Sequence, residues 1–381
     1  MCNPTLMKDR IFGYIALFAL VLVGYSYTAN EKEYTVEELR TLYGSGDSKL
    51  WPKPFLDDEV KANFEDIGPL PEVVFPEDNP YSEEKCNLGK ELFFETQLSK
   101  SGKISCATCH KPDKAWADRT RVNFGHDEAE GLRNVPTILN AAYAKKMFWD
   151  GRVKTLEEQV KHPIENPIEM NLHSSLALAN IKNDTKYKEA FKKAFGTEDF
   201  TEDHMFKAIA TFERTLVSTP SRFDLFISGK KDEFSNSEVR GLHLFRTKAR
   251  CINCHNTSYF SDQNFYNIGV SFFSGGDDDL GLYEITKNPA DKRKFRTPTL
   301  REISETKPYM HNGQFPELRN VVMMYNFGMG KEDLTPAQKK DPLYPKKSQL
   351  IQRLDLSDQE VTDLVAFLRT LKSSASQPGN N

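Results

Sequence analysis

The apolar positions along this chain predict helices far more often than strands. The segment DQEVTDLVAFLRTL, residues 358–371, places five apolar side chains on one stripe of a helix: Val361, Leu364, Val365, Leu368 and Leu371. The segment HMFKAIATFERTLV, residues 204–217, is a second stretch of this kind. Strict alternation of apolar and polar residues, which is typical of strands, is scarce. The pattern therefore predicts a mainly α-helical fold.

A different apolar pattern lies at the amino terminus. The charged segment KDR precedes an uninterrupted apolar run from Ile11 to about Tyr27. A basic start followed by such a run is typical of an export signal, and an uncleaved membrane anchor is the alternative. We therefore assign residues 1–29 to a signal peptide or membrane anchor and expect a periplasmic protein.

Composition limits the function classes that remain. The 381 residues are enough for two domains, and 38% hydrophobic with 28% charged residues is typical of a globular protein. The net charge is -4, from 51 basic and 55 acidic residues, so the totals indicate no basic surface for a nucleic acid. We expect no nucleic-acid partner.

The cysteines are the first residues to indicate a specific chemistry. Four of the six fall in two copies of one spacing, CATCH and CINCH, whose cofactor-binding residues are Cys106, Cys109, His110, Cys251, Cys254 and His255. In C-x-x-C-H the two thiols form thioethers to one edge of a porphyrin, and the histidine binds the iron. A zinc site would need a second ligand pair near each motif, and a redox dithiol does not explain the histidine. The spacing predicts two covalently bound c-type haems, with one histidine on each iron.

An internal repeat relates the two haem motifs. Gly-x-x-Leu-Phe precedes each motif, at 89–93 and 241–245. Further along, one offset of 162 residues (136 to 298) pairs Pro136-Thr137 with Pro298-Thr299, Trp149-Asp150-Gly151 with His311-Asn312-Gly313, and Leu156 with Leu318. We expect two copies of one haem-binding module, at 82–235 and 236–375. The segment 30–81 resembles neither copy and is interpreted as an N-terminal extension that wraps the modules.

The repeat also bears on MMYNFGMG, residues 323–330. The same offset carries Pro163, whose side chain cannot bind a metal, onto Tyr325. This register predicts Tyr325 as the sixth ligand of the second haem iron. Met324 and Met329 remain alternatives, because methionine is the usual partner of histidine in cytochromes c.

Taken together, these motifs resemble the bacterial di-haem cytochrome c peroxidase family, which includes the MauG-type enzymes. The matching stretches are SCATCHKPDKAWAD, GLRNVPTILNAAY, FWDGRVKTLEEQVKHPIENPIEM, CINCH, DLGLYEI, FRTPTLREI and PYMHNGQFPEL. The resemblance covers roughly residues 88–371 and implies two cytochrome-c-like domains. It further implies a peroxidatic haem on His110 and an electron-transfer haem on His255.

The resemblance also implies roles for single side chains. Glu169 would be the acid–base catalyst and Gln159 would line the same pocket, while Trp149 would lie between the haems. His126 would bind the first haem iron in the fully oxidised protein and withdraw on reduction, a device that MauG-type enzymes do not use. Tyr325 stands where the peroxidases carry a methionine ligand, so here the sequence departs from their pattern.

A calcium ion is a further implication of the resemblance. Asn134, Thr306 and Pro308 match the family's calcium site between the domains, and oxygen ligands suit this ion. The acidic run GGDDDLG, which includes Asp279, is interpreted as a solvated turn.

Three functions follow as hypotheses. The first is a cytochrome-c peroxidase, an oxidoreductase that reduces hydrogen peroxide to water with electrons from a small cytochrome c or cupredoxin. The second is a MauG-like enzyme that uses peroxide-derived high-valent iron to oxidise residues of a partner protein. The third, a di-haem electron carrier, has no use for Glu169. A homodimer and an N-terminal anchor remain open.

Overall fold

The computed structural model describes residues 33–270, 279–329, 335–341 and 344–374. The chain divides into two compact units, Met1–Glu38 and Leu39–Asn381, and both C-x-x-C-H motifs lie in the second unit. The leader predicted for residues 1–29 lies outside the described residues. Across the described ranges, no helix is long and apolar enough to cross a membrane.

The described part of the chain is mainly helical, so the predicted fold class is confirmed. Its α-helices are α1 (Val36–Tyr43), α2 (Asp58–Lys61), α3 (Glu83–Phe93), α4 (Cys106–Cys109), α5 (Leu156–Glu165), α6 (Ser174–Lys182), α7 (Thr185–Phe195), α8 (Glu202–Thr215), α9 (Arg222–Ile227), α10 (Asn236–Arg246), α11 (Tyr283–Thr286), α12 (Leu318–Asn326), α13 (Pro336–Lys340) and α14 (Asp358–Arg369). The strands β1 (Phe265–Tyr266) and β2 (Phe295–Arg296) form a short antiparallel ribbon.

Hydroxyl side chains fix where the main helices begin. In α3, α5, α8, α10 and α14 the residue before the helix accepts a hydrogen bond from a backbone N–H of the first turn, and these residues are Ser82, Thr155, Thr201, Ser235 and Ser357. Such a cap satisfies one of the N–H groups that the helix itself leaves unpaired. All five of these helices contribute buried side chains to the cores.

Each module is built on one pair of crossing helices, α3 with α8 and α10 with α14. A Cβ atom on Gly89 would lie 1.9 Å from the backbone oxygen of Ala208, and a Cβ on Gly241 would lie 2.0 Å from that of Asp363. Only glycine allows the two backbones of each pair to approach so closely. The glycine of the repeated Gly-x-x-Leu-Phe sequence is therefore explained by this crossing.

The phenylalanine of the same repeat fills the core beside the crossing. Phe93 packs edge-on against Phe212 in the first module, with ring centroids 5.4 Å apart. Phe245 packs in the same way against Phe367 in the second, at 5.2 Å. All four rings are buried. The helices and their contacts thus repeat together with the sequence.

The offset of 162 residues also has a structural counterpart. A short bridged loop precedes α5 and another precedes α12, and the bridging pairs are Met147 with Val153 and Tyr309 with Phe315. Each loop turns at a glycine with positive φ, Gly151 at 68° and Gly313 at 62°. Because α5 and α12 then begin at equivalent residues, Pro163 and Tyr325 occupy the same place in the two helices.

The N-terminal extension contacts both modules. Beyond α2 it is mostly without regular structure. Near its end, Pro71 accepts a hydrogen bond of 2.6 Å from the hydroxyl of Tyr143, and the side chain of Asn79 donates to Glu157 at 2.7 Å. Its earlier part lies against the second module. Residues of the extension thus contact both modules, and the interpretation of 30–81 as a segment that wraps them stays a prediction.

A buried carboxyl in α8 stands where α14 carries a leucine. Glu213 follows Phe212 in α8, and Leu368 follows the equivalent Phe367 in α14. The Glu213 side chain is buried, and its Oε2 has no hydrogen-bond partner among the described residues. Burial is the main reason that the pKa of Glu213 rises to about 8, and Glu157 adds to the rise while Arg214 opposes it. A carboxyl therefore holds a proton inside the first module at neutral pH.

This carboxyl makes stability depend on pH in a defined direction. The folded protein holds the Glu213 proton up to about pH 8, whereas the unfolded chain releases it near its model value of 4.5. Folding stability contributed by this group is present below the unfolded pKa and is lost as the pH rises towards 8. Relative to wild type, a Glu213→Gln protein should therefore gain at least about 1 kcal/mol between pH 5 and pH 8. Thermal unfolding of the haem-loaded proteins at both pH values measures this difference.

A matched control is Glu189→Gln, which removes an exposed carboxylate from α7 of the same module. Its stability relative to wild type should change little between the two pH values, since surface charges are screened by solvent. If Glu213→Gln behaves like this control, the Glu213 carboxyl is not protonated inside the folded module.

Candidate haem centres

The first haem motif forms a self-contained turn. Cys106 and Cys109 are the first and last residues of α4, a spacing that places both thiols on one side of the helix. The turn is held locally, because Ser105 and Thr108 bond to one another in both directions at 3.0 Å. Burial raises the pKa of Cys109 to about 11, so this thiol is neutral near pH 7. The two sulphur atoms are thus presented together.

His110 is oriented by one hydrogen bond. Its Nδ1 lies 3.2 Å from the backbone oxygen of Trp116, a residue that is wholly buried. Burial lowers the pKa of His110, so the ring is neutral near pH 7. A neutral imidazole that donates from Nδ1 leaves Nε2 as its free electron pair, which is the form that binds a metal. This geometry suits an axial ligand of a haem iron.

The second motif repeats this arrangement of the histidine. The Nδ1 of His255 lies 3.0 Å from the backbone oxygen of Phe260, and burial again lowers the pKa of the ring. Burial also raises the pKa of Cys251 to about 12. Two thiols and an oriented imidazole therefore recur 145 residues apart, as the sequence spacing implies (110 to 255).

The repeated Pro-Thr pair supports both histidine loops. The hydroxyl of Thr137 donates to the backbone oxygen of Ala115 at 2.6 Å, and that of Thr299 donates to the backbone oxygen of Tyr259. In each module the accepting residue directly precedes the residue that accepts from the haem histidine. The Pro-Thr repeat thus fixes the carbonyl group that orients each imidazole.

The donor groups fit haem better than a protein-bound metal ion. Within the described residues, no group of three or more His, Cys, Asp or Glu side chains could hold a metal ion. The described thiols, Cys106, Cys109, Cys251, Cys254 and Cys86, form no disulfide. Each C-x-x-C-H motif therefore has the two thiols and one imidazole that a c-type haem requires and lacks the further ligands of a zinc site.

Glu169 lies beside the first motif. The chain turns back after α5, and the backbone N–H of Met170 bonds to the oxygen of Pro163 at 3.1 Å. The Asn166 side chain donates to Glu169 Oε1 at 2.7 Å. Burial raises the pKa of Glu169, and its negative charge in turn contributes to the raised pKa of Cys109. The carboxyl is therefore close to the haem-attachment site and largely removed from water.

His126 lies against the same segment. Its backbone N–H donates to the oxygen of Glu169 at 2.8 Å, and a Cβ on Gly125 would lie 2.1 Å from the oxygen of Ile168. The His126 side chain is only 11% exposed, and its buried Nδ1 has no hydrogen-bond partner among the described residues. Nearby, Asn123 donates to Cys109 Sγ at 3.3 Å. The loop therefore spans from the first motif to Glu169.

The other two predicted pocket residues are partly buried. Gln159 lies in α5, one turn before Pro163. Trp149 joins the two modules: its indole Nε1 donates to the backbone oxygen of Asn134 at 2.9 Å, and its ring meets His311 edge-on at 6.4 Å. The backbone N–H of Asn134 also donates to the oxygen of His311 at 2.7 Å. The indole is thus held in one orientation.

Tyr325 lies against the second motif. Burial raises its pKa above the usual range, and negative charge at Cys254 and Cys251 would raise it further. The phenol is therefore close to both haem-attaching thiols. Met329 is buried near the end of the same segment, and its N–H bonds to the oxygen of Met324 at 2.7 Å. The choice among Tyr325, Met324 and Met329 as the sixth ligand stays a prediction.

The interpretation of GGDDDLG as a solvated turn is wrong for Asp279. This carboxylate is half-buried and receives two hydrogen bonds from Arg133, at 2.7 and 2.8 Å. Arg133 also donates to Asp150 at 2.5 Å and lies over the ring of Phe295. The preceding residues, 271–278, lie outside the described residues. The residues of this acidic run do not themselves indicate that Asp279 pairs with an arginine far away in the sequence.

The comparisons with known proteins agree with this geometry. The family model for di-haem cytochrome c peroxidase matches residues 83–232, and that for cytochrome c matches 239–372. Cytochrome-c peroxidase IdrP1 of Pseudomonas sp. (strain SCT) is 38% identical over 337 residues, which cover 81% of this chain and 86% of that protein. Methylamine utilization protein MauG of Methylophilus methylotrophus is 35% identical over 309 residues, covering 80% and 87%.

A solved structure shows the same fold. The crystal structure of a MauG-like protein associated with microbial copper homeostasis superimposes with a TM-score of 0.73 at 32% identity, covering 82% of this chain and 97% of that one. Family membership implies two c-type haems, for which the two motifs supply the thiols and imidazoles. The chain belongs to the di-haem cytochrome c peroxidase family.

Proposed function

We propose that this protein is a periplasmic peroxidase that reduces hydrogen peroxide to water with electrons from a small cytochrome c or cupredoxin. The observation that carries the proposal is the inward-facing His126 ring in a loop that rests on Glu169. Relatives named as cytochrome-c peroxidases support it, and so does Cytochrome c551 peroxidase of Nitrosomonas europaea, which is 36% identical over 313 residues.

The first haem would be held by Cys106, Cys109 and His110, and it would supply an iron centre that binds peroxide and exchanges electrons. Glu169 would handle the protons. Cleavage of the O–O bond needs a group that takes a proton from the inner oxygen and returns it to the leaving oxygen. A carboxyl whose pKa is raised by burial can do both near neutral pH, and Asn166 fixes its orientation.

His126 would keep the resting protein inactive. Its ring is mostly buried, its Nε2 lies 3.4 Å from the Asp127 carboxylate, and its buried Nδ1 has no hydrogen-bond partner among the described residues, so Nδ1 would be the nitrogen that binds the iron. One backbone hydrogen bond connects this residue directly to Glu169. Gly125 also lies close against the backbone of Ile168, so two neighbouring residues of the loop rest on the Glu169 segment. Withdrawal on reduction of the second haem would open the pocket to peroxide.

Trp149 would lie on the electron path between the modules. The first module supplies this residue, and the second supplies the His311 ring that it contacts. His311 is itself stacked on Phe295, with ring centroids 3.7 Å apart. Packed aromatic rings therefore continue from the first module into the second, which suits electron transfer between two haems that do not touch.

The alternative is a MauG-like enzyme that oxidises residues of a partner protein. Tyr325 favours it, because an anionic phenolate ligand would stabilise the oxidised state of the second iron. Proteins named MauG and a MauG-like protein are also among the relatives. A simple electron carrier is disfavoured, since it has no use for a buried carboxyl at Glu169.

We also propose a calcium ion between the modules at Asn134, Thr306 and Pro308. The Asn134 side chain is buried, and its Nδ2 donates to the backbone oxygens of Thr120 and Arg121 at 2.9 and 3.2 Å. These bonds leave the amide oxygen directed away as an acceptor. A neutral amide oxygen with backbone carbonyls and water is a donor set that suits calcium.

Peroxide turnover in two redox states tests the proposed function. Wild-type protein should turn over peroxide with a reduced cytochrome c when half-reduced and should react slowly when fully oxidised. His126→Ala should make the fully oxidised protein react with peroxide, because the cap is gone. Glu169→Gln should lower kcat/KM by about 100- to 10,000-fold, the usual contribution of a general acid–base group. Stopped-flow and steady-state assays measure these rates.

Glu128→Gln is the matched control, since this exposed carboxylate belongs to the same loop as His126. Its rates should equal those of wild type. Absence of turnover in both redox states of the wild-type protein would disprove the peroxidase proposal, and an unchanged rate in Glu169→Gln would favour the electron carrier.

The sixth ligand of the second haem can be identified by spectroscopy. A Tyr325→Phe protein should lose the phenolate contribution to the optical and EPR spectra of the second haem, while the spectrum of the first stays unchanged. Met324→Leu and Met329→Leu are the controls and should leave both spectra intact. If a methionine variant changes the second-haem spectrum and Tyr325→Phe does not, the ligand is a thioether.

Calcium removal should affect both modules at once, because the proposed ligands come from each of them. We expect a chelator to lower peroxide turnover and added calcium to restore it. Asn134→Asp keeps an oxygen ligand, whereas Asn134→Leu removes it, so the leucine variant should show the chelated behaviour without a chelator. Activity and elemental analysis that are the same with and without chelator would exclude the site.

A further inference from the structure

The extension holds the second haem motif at the residue between its cysteines. Asn253, which stands between Cys251 and Cys254, is 1% exposed. Its Oδ1 accepts from the backbone N–H of Asp57 at 2.8 Å, and its Nδ2 donates to the backbone oxygen of Phe55 at 3.1 Å. One amide side chain therefore makes both bonds of a strand-like pair with the extension.

An ion pair joins the same two segments. Asp57 accepts from the guanidinium of Arg250, the residue directly before Cys251. Arg250 has a positive φ of 56°, and its guanidinium lies 4.9 Å from the centre of the Phe55 ring. The backbone N–H of Phe55 donates to the oxygen of Arg246 at 2.8 Å. The residues that lead into the second haem motif are therefore held by the extension, which lies outside the module.

We name residues 51–68 of the extension the clamp segment. Further contacts join this segment to the second module. The buried guanidinium of Arg246 donates to Asp66 at 2.6 Å. Glu65 accepts at 2.9 Å from the backbone N–H of Thr257, two residues beyond the haem histidine His255. The clamp segment thus contacts the motif before, within and after its haem-binding residues.

The first haem motif is built differently. Its C-x-x-C loop carries Thr108 where the second carries Asn253. Thr108 and Ser105 cap the loop by bonding to one another. The second loop keeps the equivalent backbone bond, from the N–H of Asn253 to the oxygen of Arg250 at 3.1 Å, and its Asn253 side chain adds two bonds to the clamp segment. The two modules therefore share a haem motif and differ in what positions it.

The clamp segment also brings negative charge to this motif. The carboxylate of Asp57, a clamp-segment residue, pairs with Arg250 directly before Cys251. The backbone N–H of Asp57 bonds to Asn253, which lies between the two cysteines. Both cysteines attach to one edge of the porphyrin, so this charge lies at that edge. A nearby negative charge favours ferric over ferrous haem and lowers the reduction potential.

We propose that the clamp segment positions the attachment loop of the second haem and that the Asp57 carboxylate lowers the reduction potential of that haem. Asp57 and Asn253 are positioning residues, since they act through the loop and through charge. The proposal rests on the assignment of a haem to Cys251, Cys254 and His255. It extends the proposed function, because the potential of the second haem decides when electrons reach the first.

The test is a potentiometric titration in which optical and EPR signals resolve each haem. In Asp57→Asn the ratio of ferrous to ferric second haem at a fixed ambient potential should rise about threefold to tenfold, where tenfold corresponds to 59 mV. The ratio for the first haem should stay unchanged. The control is Asp58→Asn, which removes a neighbouring carboxylate that is 97% exposed and pairs with Lys61. The reduction potentials of both haems should be unchanged in this control.

A second variant tests positioning apart from charge. Asn253→Thr gives the second loop the residue that the first loop has. Because the bonds to Phe55 and Asp57 are lost, hydrogen exchange at the Asp57 amide and proteolysis within residues 51–68 should become faster. Asp58→Asn should leave both rates unchanged. Equal rates in Asn253→Thr and wild type would overturn the positioning role.

The remaining outcomes also decide the proposal. Equal shifts of both haems in Asp57→Asn, or the same shift in Asp58→Asn, would overturn the local effect of charge. Loss of the second haem from Asp57→Asn, detected by haem content, would overturn it as well, because the residue would then act in assembly. A last outcome separates the two proposals. If the wild-type protein binds two haems without turning over peroxide, and Asp57→Asn shows the expected shift, the clamp proposal is supported and the peroxidase function is disproved.

Discussion

The hydrogen bond from the Nδ1 atom of each haem histidine to a backbone carbonyl is the constraint on which the two modules depend. It fixes the tautomer and the rotation of the ring, and so determines where Nε2 points. The orientation of the imidazole is fixed only if the accepting carbonyl group is itself held in place. The Pro-Thr pairs and the buried aromatic residues Trp116 and Phe260 hold them in place. In each module, a pair of helices that cross at a glycine supports the haem motif.

On this shared base the two modules have different surroundings. The first has a carboxyl at Glu169, an inward histidine at His126 and an uncharged, self-capped loop. The second has a phenol at Tyr325 and a loop held by a charged segment from elsewhere in the chain. In the function that we propose, the first centre handles protons and admits a small molecule. The surroundings of the second would control the electron affinity of its haem.

Much of this could be predicted from the sequence because the repeat carries the information locally. The offset of 162 residues places Tyr325 opposite Pro163, and the helices α5 and α12 begin in the same register. The contact between His126 and Glu169 was not predicted, because the family resemblance only assigned both residues to the first haem. Glu213 could not be found in advance, since its importance lies in burial and a missing partner. The interpretation of Asp279 as solvated was wrong because its partner, Arg133, is 146 residues away in the sequence.

The bond between Asp57 and Asn253 also constrains the order in which the protein can be assembled. It closes a loop of 196 residues, so it cannot form until most of the chain, including the second motif, has left the ribosome. Closing so long a loop carries an entropic cost that contacts within a single helix do not have. The clamp segment can therefore dock only after the second motif has been synthesised. Until it docks, the face of the attachment loop that it covers stays open.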